Sequence, residues 1–225
     1  MSVFSAFASL VEQLADLLQP LFGATAVAAA IVLFTALVRL LVHPLSRAAA
    51  RGQRAQARLR PQVAELRKRY AKQPEKLQKA VLELHAEEKV SPLSGCLPSL
   101  LQLPAFFLLY RLFSTEGDAL LSHRLFAAPL GGRWADALAE GGVFGAPGLV
   151  YVGLFLVAAV VAAFTCVRTR RMTADGSAVE SAVGKAMPYL SFFTLFTVAV
   201  VPLAAALYVV TSAAWSAVER AVLYR

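Results

Sequence analysis

The run from Leu21 to Val42 is long enough to cross a bilayer and carries one charge, Arg39. No other feature constrains the fold as tightly. A spanning helix needs about 20 apolar residues. A guanidinium does not lose its proton at ordinary pH. Placing one within a span costs at least about 2.5–3.5 kcal/mol on insertion scales. Arg39 precedes His43 by four residues, so it lies about 6 Å from the end of the run. Position alone leaves two roles open. The side chain can snorkel to the interface, or its charge can act inside the membrane.

The rest of the composition points the same way. The 225 residues are 58% hydrophobic and 16% charged, against about 25% charged in a soluble domain. Several uncharged runs approach spanning length. The expected class is an all-α integral membrane protein. A membrane β-barrel would read as alternating segments of about ten residues, which this chain lacks. The first Lys or Arg is Arg39, so the N-terminal stretch is not expected to be a signal peptide, which opens with positive charge. Cys96 and Cys166 give no disulfide framework and are expected to be free, packed thiols. His43, His85 and His123 show no metal spacing. There is no phosphate-binding loop and no nucleophile elbow, and Gly131-Gly132 and Gly141-Gly142 read as loops.

Along the chain, Val3, Phe4, Phe7, Leu10, Val11, Leu14, Leu17 and Leu18 recur at helical spacing. Residues 1–20 are therefore expected to form an amphipathic helix in a membrane interface. Pro20 and Gly23 are expected to separate it from a first span at about 24–43. Residues 45–92 then carry twelve Lys and Arg against five acids, a net of +7. With punctuation at Pro61 and Gln73-Pro74, they predict an antiparallel helical hairpin turning near 71–75. By the positive-inside rule it is cytosolic.

A second span is expected at about 93–113, kinked by Pro98 and Pro104 and polar at Gln102. Residues 114–147 carry a net of −2 and are placed outside. A third span follows at about 148–167, ending at the basic group Arg168, Arg170 and Arg171. The last apolar stretch, 187–218, is too long for one span and is expected to split at Pro202 into 187–201 and 203–218. That gives five spans in a core of residues 21–225, with the N-terminus outside and the C-terminus in the cytosol.

The segments that carry the next step are Thr35-Ala36-Leu37-Val38-Arg39 and His43-Pro44-Leu45-Ser46. With them go Glu87-Glu88-Lys89-Val90-Ser91-Pro92-Leu93-Ser94-Gly95-Cys96-Leu97-Pro98, Gln102-Leu103-Pro104-Ala105-Phe106 and Leu109-Tyr110. Near the end come Met187-Pro188, Pro202, Leu207-Tyr208 and Ser212. Together they resemble the YidC/Oxa/Alb membrane protein insertases, in the short bacterial form without a large periplasmic domain. The resemblance implies a groove open to the cytosol and closed outside. Its arginine would be Arg39. Thr35, Gln102 and Tyr208 would line the substrate path. Two departures stand out. Val209 follows Tyr208 where many members have an aromatic residue, and Pro202-Leu203-Ala204-Ala205 lacks the usual glycine.

The expected function is insertion of nascent hydrophobic segments into the bilayer, with no covalent chemistry, no cofactor and no small-molecule substrate. The hairpin residues Arg58, Arg60, Arg67, Lys68, Arg69 and Lys72 would make first contact. Arg39 would draw acidic flanks into the groove. The partners implied are nascent membrane proteins and the lipid bilayer, with the Sec translocon, the ribosome and the signal recognition particle receptor as further candidates. Two alternatives belong to other classes. One is a membrane scaffold or ribosome-docking assembly factor. The other is a transporter with Arg39 as an anion site, for which no inverted repeat is visible.

Overall fold

The computed structural model describes residues 3–90, 121–174 and 187–223. Helix α1 spans Val3–Phe22, α2 Ala26–Arg69 and α3 Pro74–Glu87. Two short strands, β1 (Arg124–Leu125) and β2 (Ala128–Pro129), pair antiparallel. Then come α4 (Trp134–Gly141) and α5 (Ala146–Ala174). A 3-10 segment, Met187–Phe192, leads into α6 (Phe193–Val200), and α7 (Leu203–Leu223) closes the chain. The protein is helical, and the two-residue ribbon is its one departure from an all-α reading among the described residues.

Two boundaries differ from the sequence expectation. Pro20 lies inside α1, and the break falls at Gly23, whose φ of +51° suits a residue without Cβ. Pro61 does not end a helix: α2 continues through Pro44 and Pro61 for 44 residues. A helical proline frees the carbonyl four residues earlier. For Pro61 that residue is Ala57, which is exposed, so water can satisfy the carbonyl. The first span and the first arm of the hairpin are therefore one rod of about 66 Å, more than twice a hydrocarbon core of about 30 Å. The hairpin turn falls at residues 70–73, where Tyr70 N–H donates to Leu66 O and Gln73 N–H to Tyr70 O. The split before α7 falls at Val201-Pro202. The expected second span, residues 93–113, with Cys96 and Gln102, lies outside the described residues.

Packing is inverted relative to a soluble core. The buried positions are mostly small: Ala26, Ala28, Ala30, Ala158, Ala162, Ala204, Ala205 and Ala206. The large apolar side chains face out: Leu33, Leu37, Leu40 and Leu41 on α2, Leu156, Val160 and Phe164 on α5, and Phe193 and Phe196 on α6. Small residues between helices and large ones outside is how helices pack in lipid. A soluble monomer rarely exposes so large an apolar surface. The helical stretches Ser9–Leu59 and Ala146–Arg171 each hold an apolar window long enough to span.

Helix α7 sits at the centre, packed on α2, α5 and α6. Its pairings rise together with those of α2: residue 39 meets 212 and residue 43 meets 219. The two helices therefore run parallel. Helix α1 packs on the start of α2 through Val11, Leu14, Ala15 and Leu18, while Leu10 and Leu17 of the expected apolar stripe are exposed.

At one end of the described bundle, the segment after the ribbon packs into the core. Leu130 and Ala128 are fully buried beside Tyr151 and Leu203. Trp134 stands edge-on to Phe155, with ring centroids 5.3 Å apart. Pro202 has no N–H, and the first donors of α7 lack partners within the helix. The loop just after the ribbon supplies them: Leu203 N–H donates to Gly132 O and Ala204 N–H to Leu130 O, both at 2.9 Å. The Tyr151 hydroxyl donates to the same Gly132 carbonyl at 2.5 Å. Gly132 is a close approach, since a Cβ there would meet Pro129 Cγ at 2.9 Å. The segment 128–132 is thus a fitted cap over the N-terminus of α7.

Candidate functional site

Thr35, Arg39 and His43 are spaced by four residues on α2 and share one face. That face meets α7. The Arg39 guanidinium donates to the Ser212 hydroxyl, and Ser212 is 6% exposed. One turn further, His43 Nδ1 and Glu219 Oε1 lie 2.6 Å apart. A carboxylate only accepts, so Nδ1 carries the hydrogen. The result is a two-rung polar seam between two parallel helices. It begins below the apolar cap and runs toward the basic end of α2.

The Arg39 partner is neutral. Before Glu65 in α2, and throughout α5, α6 and α7, the only acid among the described residues is Glu219, and His43 holds it. The charge of Arg39 is therefore bonded but not neutralised within the described bundle. Partial burial strengthens such a charge, because the effective dielectric falls well below that of water.

The other expected site residues fall as follows. Thr35 is buried, and its hydroxyl donates to Ile31 O of its own helix at 2.6 Å. That bond accounts for a threonine in a helix and uses the donor, leaving acceptor capacity alone. Tyr208 is half-buried one turn before Ser212. Gln102 lies outside the described residues. Arg58, Arg67, Lys68, Arg69 and Lys72 are all exposed at the far end of the hairpin, and the Arg69 guanidinium lies 5.8 Å from the Tyr70 ring centroid. The side chain of Arg60 is outside what is described. The structure thus brings Arg39 and Thr35 onto one face, Tyr208 onto the helix opposite, and keeps the hairpin cations apart from them.

Sequence reasoning missed the rungs. In the sequence Ser212 stands only as part of a motif and His43 at the end of an apolar run, and nothing there pairs Arg39 with Ser212 or His43 with Glu219. The available signal was the matched polar spacing on two apolar helices: 35, 39 and 43 on one, 212 and 219 on the other.

A cleft of about 180 Å³ lies on another face of α7, between α5, α6 and the 3-10 segment before it. Ala158, Ala162, Thr165, Thr194, Ser216 and Arg220 are among its walls. Two of its hydroxyls are already bonded along their own helices, Thr165 to Val161 O and Ser216 to Ser212 O. Cys166 is a buried free thiol. Among the described residues no cluster of His, Cys, Asp and Glu could hold a metal ion.

The sequence is similar to known proteins. The family described as 60Kd inner membrane protein matches residues 17–225. The membrane protein insertase YidC of Clostridium perfringens is 39% identical over 111 residues, covering 44% of this chain and 47% of that protein. The membrane protein insertase YidC of Geobacter metallireducens is 35% identical over 89 residues, covering 39% of this chain and 17% of that protein. That of Shewanella woodyi is 43% identical over 82 residues, covering 36% and 15%. The matched segment is thus less than half the length of each of these relatives.

Proposed function

The chain belongs to the 60Kd inner membrane protein family, and from that premise we propose that it is a membrane protein insertase of the bacterial cell membrane. It moves hydrophobic segments of nascent proteins into lipid through a polar groove open to the cytosol. The observation that carries this reading is Arg39, whose partner among the described residues is the neutral Ser212, held on a seam beneath an apolar cap. A closed outer end and a polar inner half suit partial entry of a substrate flank without leakage across the membrane.

The mechanism follows from charge and burial. The exposed basic hairpin meets the substrate, or the ribosome or receptor that brings it, from the cytosol. Arg39 attracts an acidic flank into the seam. The apolar segment then leaves sideways into lipid, driven by burial of its surface. No bond is made or broken. Thr35, Gln102 and Tyr208 line the path in this reading. Insertion by the purified chain in liposomes tests it, and solute flux in the same vesicles separates it from transport.

The orientation is part of the proposal. Parallel α2 and α7 support an odd number of spans, and the +7 on residues 45–92 places their shared lower end in the cytosol. In a cysteine-free background, Lys68→Cys is expected to react with impermeant maleimide only from the cytosolic side. Glu140→Cys is expected to react only from outside. A reporter fused after Arg225 should read as cytosolic. An external reporter would mean four spans and a wrong assignment at Pro202.

A further inference from the structure

Glu219 is an internal rival of the substrate. If Arg39 works by attracting acidic flanks, a carboxylate of the protein within its reach would quench it. Glu219 is 10% exposed on its side chain and faces α2 across the seam. Along α2, Arg39 is one turn from His43, about 6 Å. A long arginine side chain can cover that distance by extending along the helix. The two groups would pair readily in a partly dry seam, because a bidentate guanidinium–carboxylate contact is the stronger geometry. The structure shows a different pairing. Glu219 Oε1 is held by His43 Nδ1 at 2.6 Å, and Arg39 turns to the neutral Ser212 hydroxyl.

We infer that His43 is a positioning residue: it sequesters Glu219 so that the charge of Arg39 stays available to the substrate. This rests on the groove reading of Arg39 and extends it to the residue pair one turn away on the same seam. The pairing does not require a charged histidine, since a neutral imidazole with its hydrogen on Nδ1 makes the same bond. Among the described residues, the charges nearest the pair along its two helices are all cations. Arg39 and Arg47 share α2 with His43, and Arg220 follows Glu219 on α7. The cations flanking Glu219 would compete for it without providing a second acid.

The arrangement also accounts for a carboxylate being kept near the inner end of a spanning helix. Glutamate there is costly unless paired. A purely structural clasp would need both partners equally. A sequestering clasp needs His43 only because Glu219 is present. The two accounts therefore differ in what removing Glu219 does.

The test uses the full chain reconstituted in liposomes and a matched pair of single-span substrates, one with Asp in the translocated flank and one with Asn. His43→Ala is expected to slow the Asp substrate by roughly three- to tenfold relative to the Asn substrate. Glu219→Gln alone should leave the ratio of the two rates at the wild-type value. The double variant His43→Ala/Glu219→Gln should restore the ratio, since no rival carboxylate remains. Equal slowing of both substrates by either single variant, with no rescue in the double, would overturn the inference in favour of a structural clasp. Arg39→Ala, run in parallel, separates the layers. If it does not discriminate the two substrates, the electrostatic reading of Arg39 fails first. If it discriminates while His43→Ala does not, only the sequestering role is lost. Comparing membrane-integrated protein for each variant identifies any that fails to fold, and the Glu219→Gln variant still distinguishes the accounts.

Discussion

Arg39→Ala is expected to slow insertion of a substrate with an acidic flank by more than an order of magnitude, and to slow a neutral-flanked counterpart far less. The seam holds a cation with a neutral partner, Ser212. A carboxylate about 8 Å away, at an effective dielectric of about 20, gains about 2 kcal/mol, a factor of roughly thirty. A flank with Asn or Gln gains none of this. Arg39→Lys should keep much of the rate, because a point charge serves where no planar fork is required. The Ala variant should itself integrate normally, since loss of the charge lowers the cost of its own span. Rates on the matched pair check this directly. Equal loss on both substrates would leave Arg39 a structural or hydrating role. A Lys variant as impaired as Ala would point to a guanidinium-specific contact with Ser212.

Ala30→Leu is expected to be the most damaging of the conservative apolar exchanges. Ala30 is fully buried in the cluster that joins α1, α2, α5, the ribbon and α7. Helices in lipid are held by close approach over small residues, not by exclusion of water. Three added carbons there must push helices apart, costing about 1–3 kcal/mol and lowering the thermal midpoint in detergent by roughly 3–10 °C. The cost should also appear as lower accumulation in the membrane. Leu40→Ala is the control: Leu40 is 58% exposed on the lipid-facing side of the same helix, so its truncation should change the midpoint little. A chain indifferent to Ala30→Leu would mean that the cap cluster does not hold the bundle together.

Much of the architecture was legible because each deciding signal was local. The apolar runs identify a helical membrane protein, and Pro202 marks its break because a proline at the start of α7 cannot continue the helix before it. The hairpin turn at 70–73 was signalled by Gln73-Pro74. Apolar residues at helical spacing flank it, Leu59, Val63, Leu66 and Tyr70 before it and Leu77, Val81 and Leu84 after it, and they are among the less exposed positions of their helices. What local signals could not show was tertiary compensation. Pro61 reads as a stop, yet the carbonyl it frees is at exposed Ala57 and the helix continues. Pro20 and Gly23 read as one break, but the left-handed conformation falls on Gly23 alone.

The site was half legible for the same reason. Arg39 is conspicuous because charge is rare in an apolar run. Its partner is 173 residues away and is an ordinary serine. Glu219 carries no local signal, because its partner His43 lies 176 residues earlier. The cap over α7 was equally hidden: Gly131-Gly132 reads as loop, and only the fold shows that Gly132 O serves both Leu203 N–H and the Tyr151 hydroxyl.

In the proposed function, this chain by itself lowers the barrier for a hydrophobic segment to enter the bilayer. The most direct measurement places the purified full chain in liposomes of bacterial-type lipid, without a Sec channel. A single-span substrate with a short acidic flank is then supplied from outside the vesicles. Insertion is scored by protection of the flank from added protease, against protein-free liposomes and against the Arg39→Ala variant. The account predicts protection well above protein-free vesicles, strongly reduced in the variant, with no accompanying solute flux. Protection no greater than in protein-free liposomes, from protein shown to be folded and correctly oriented, would contradict it.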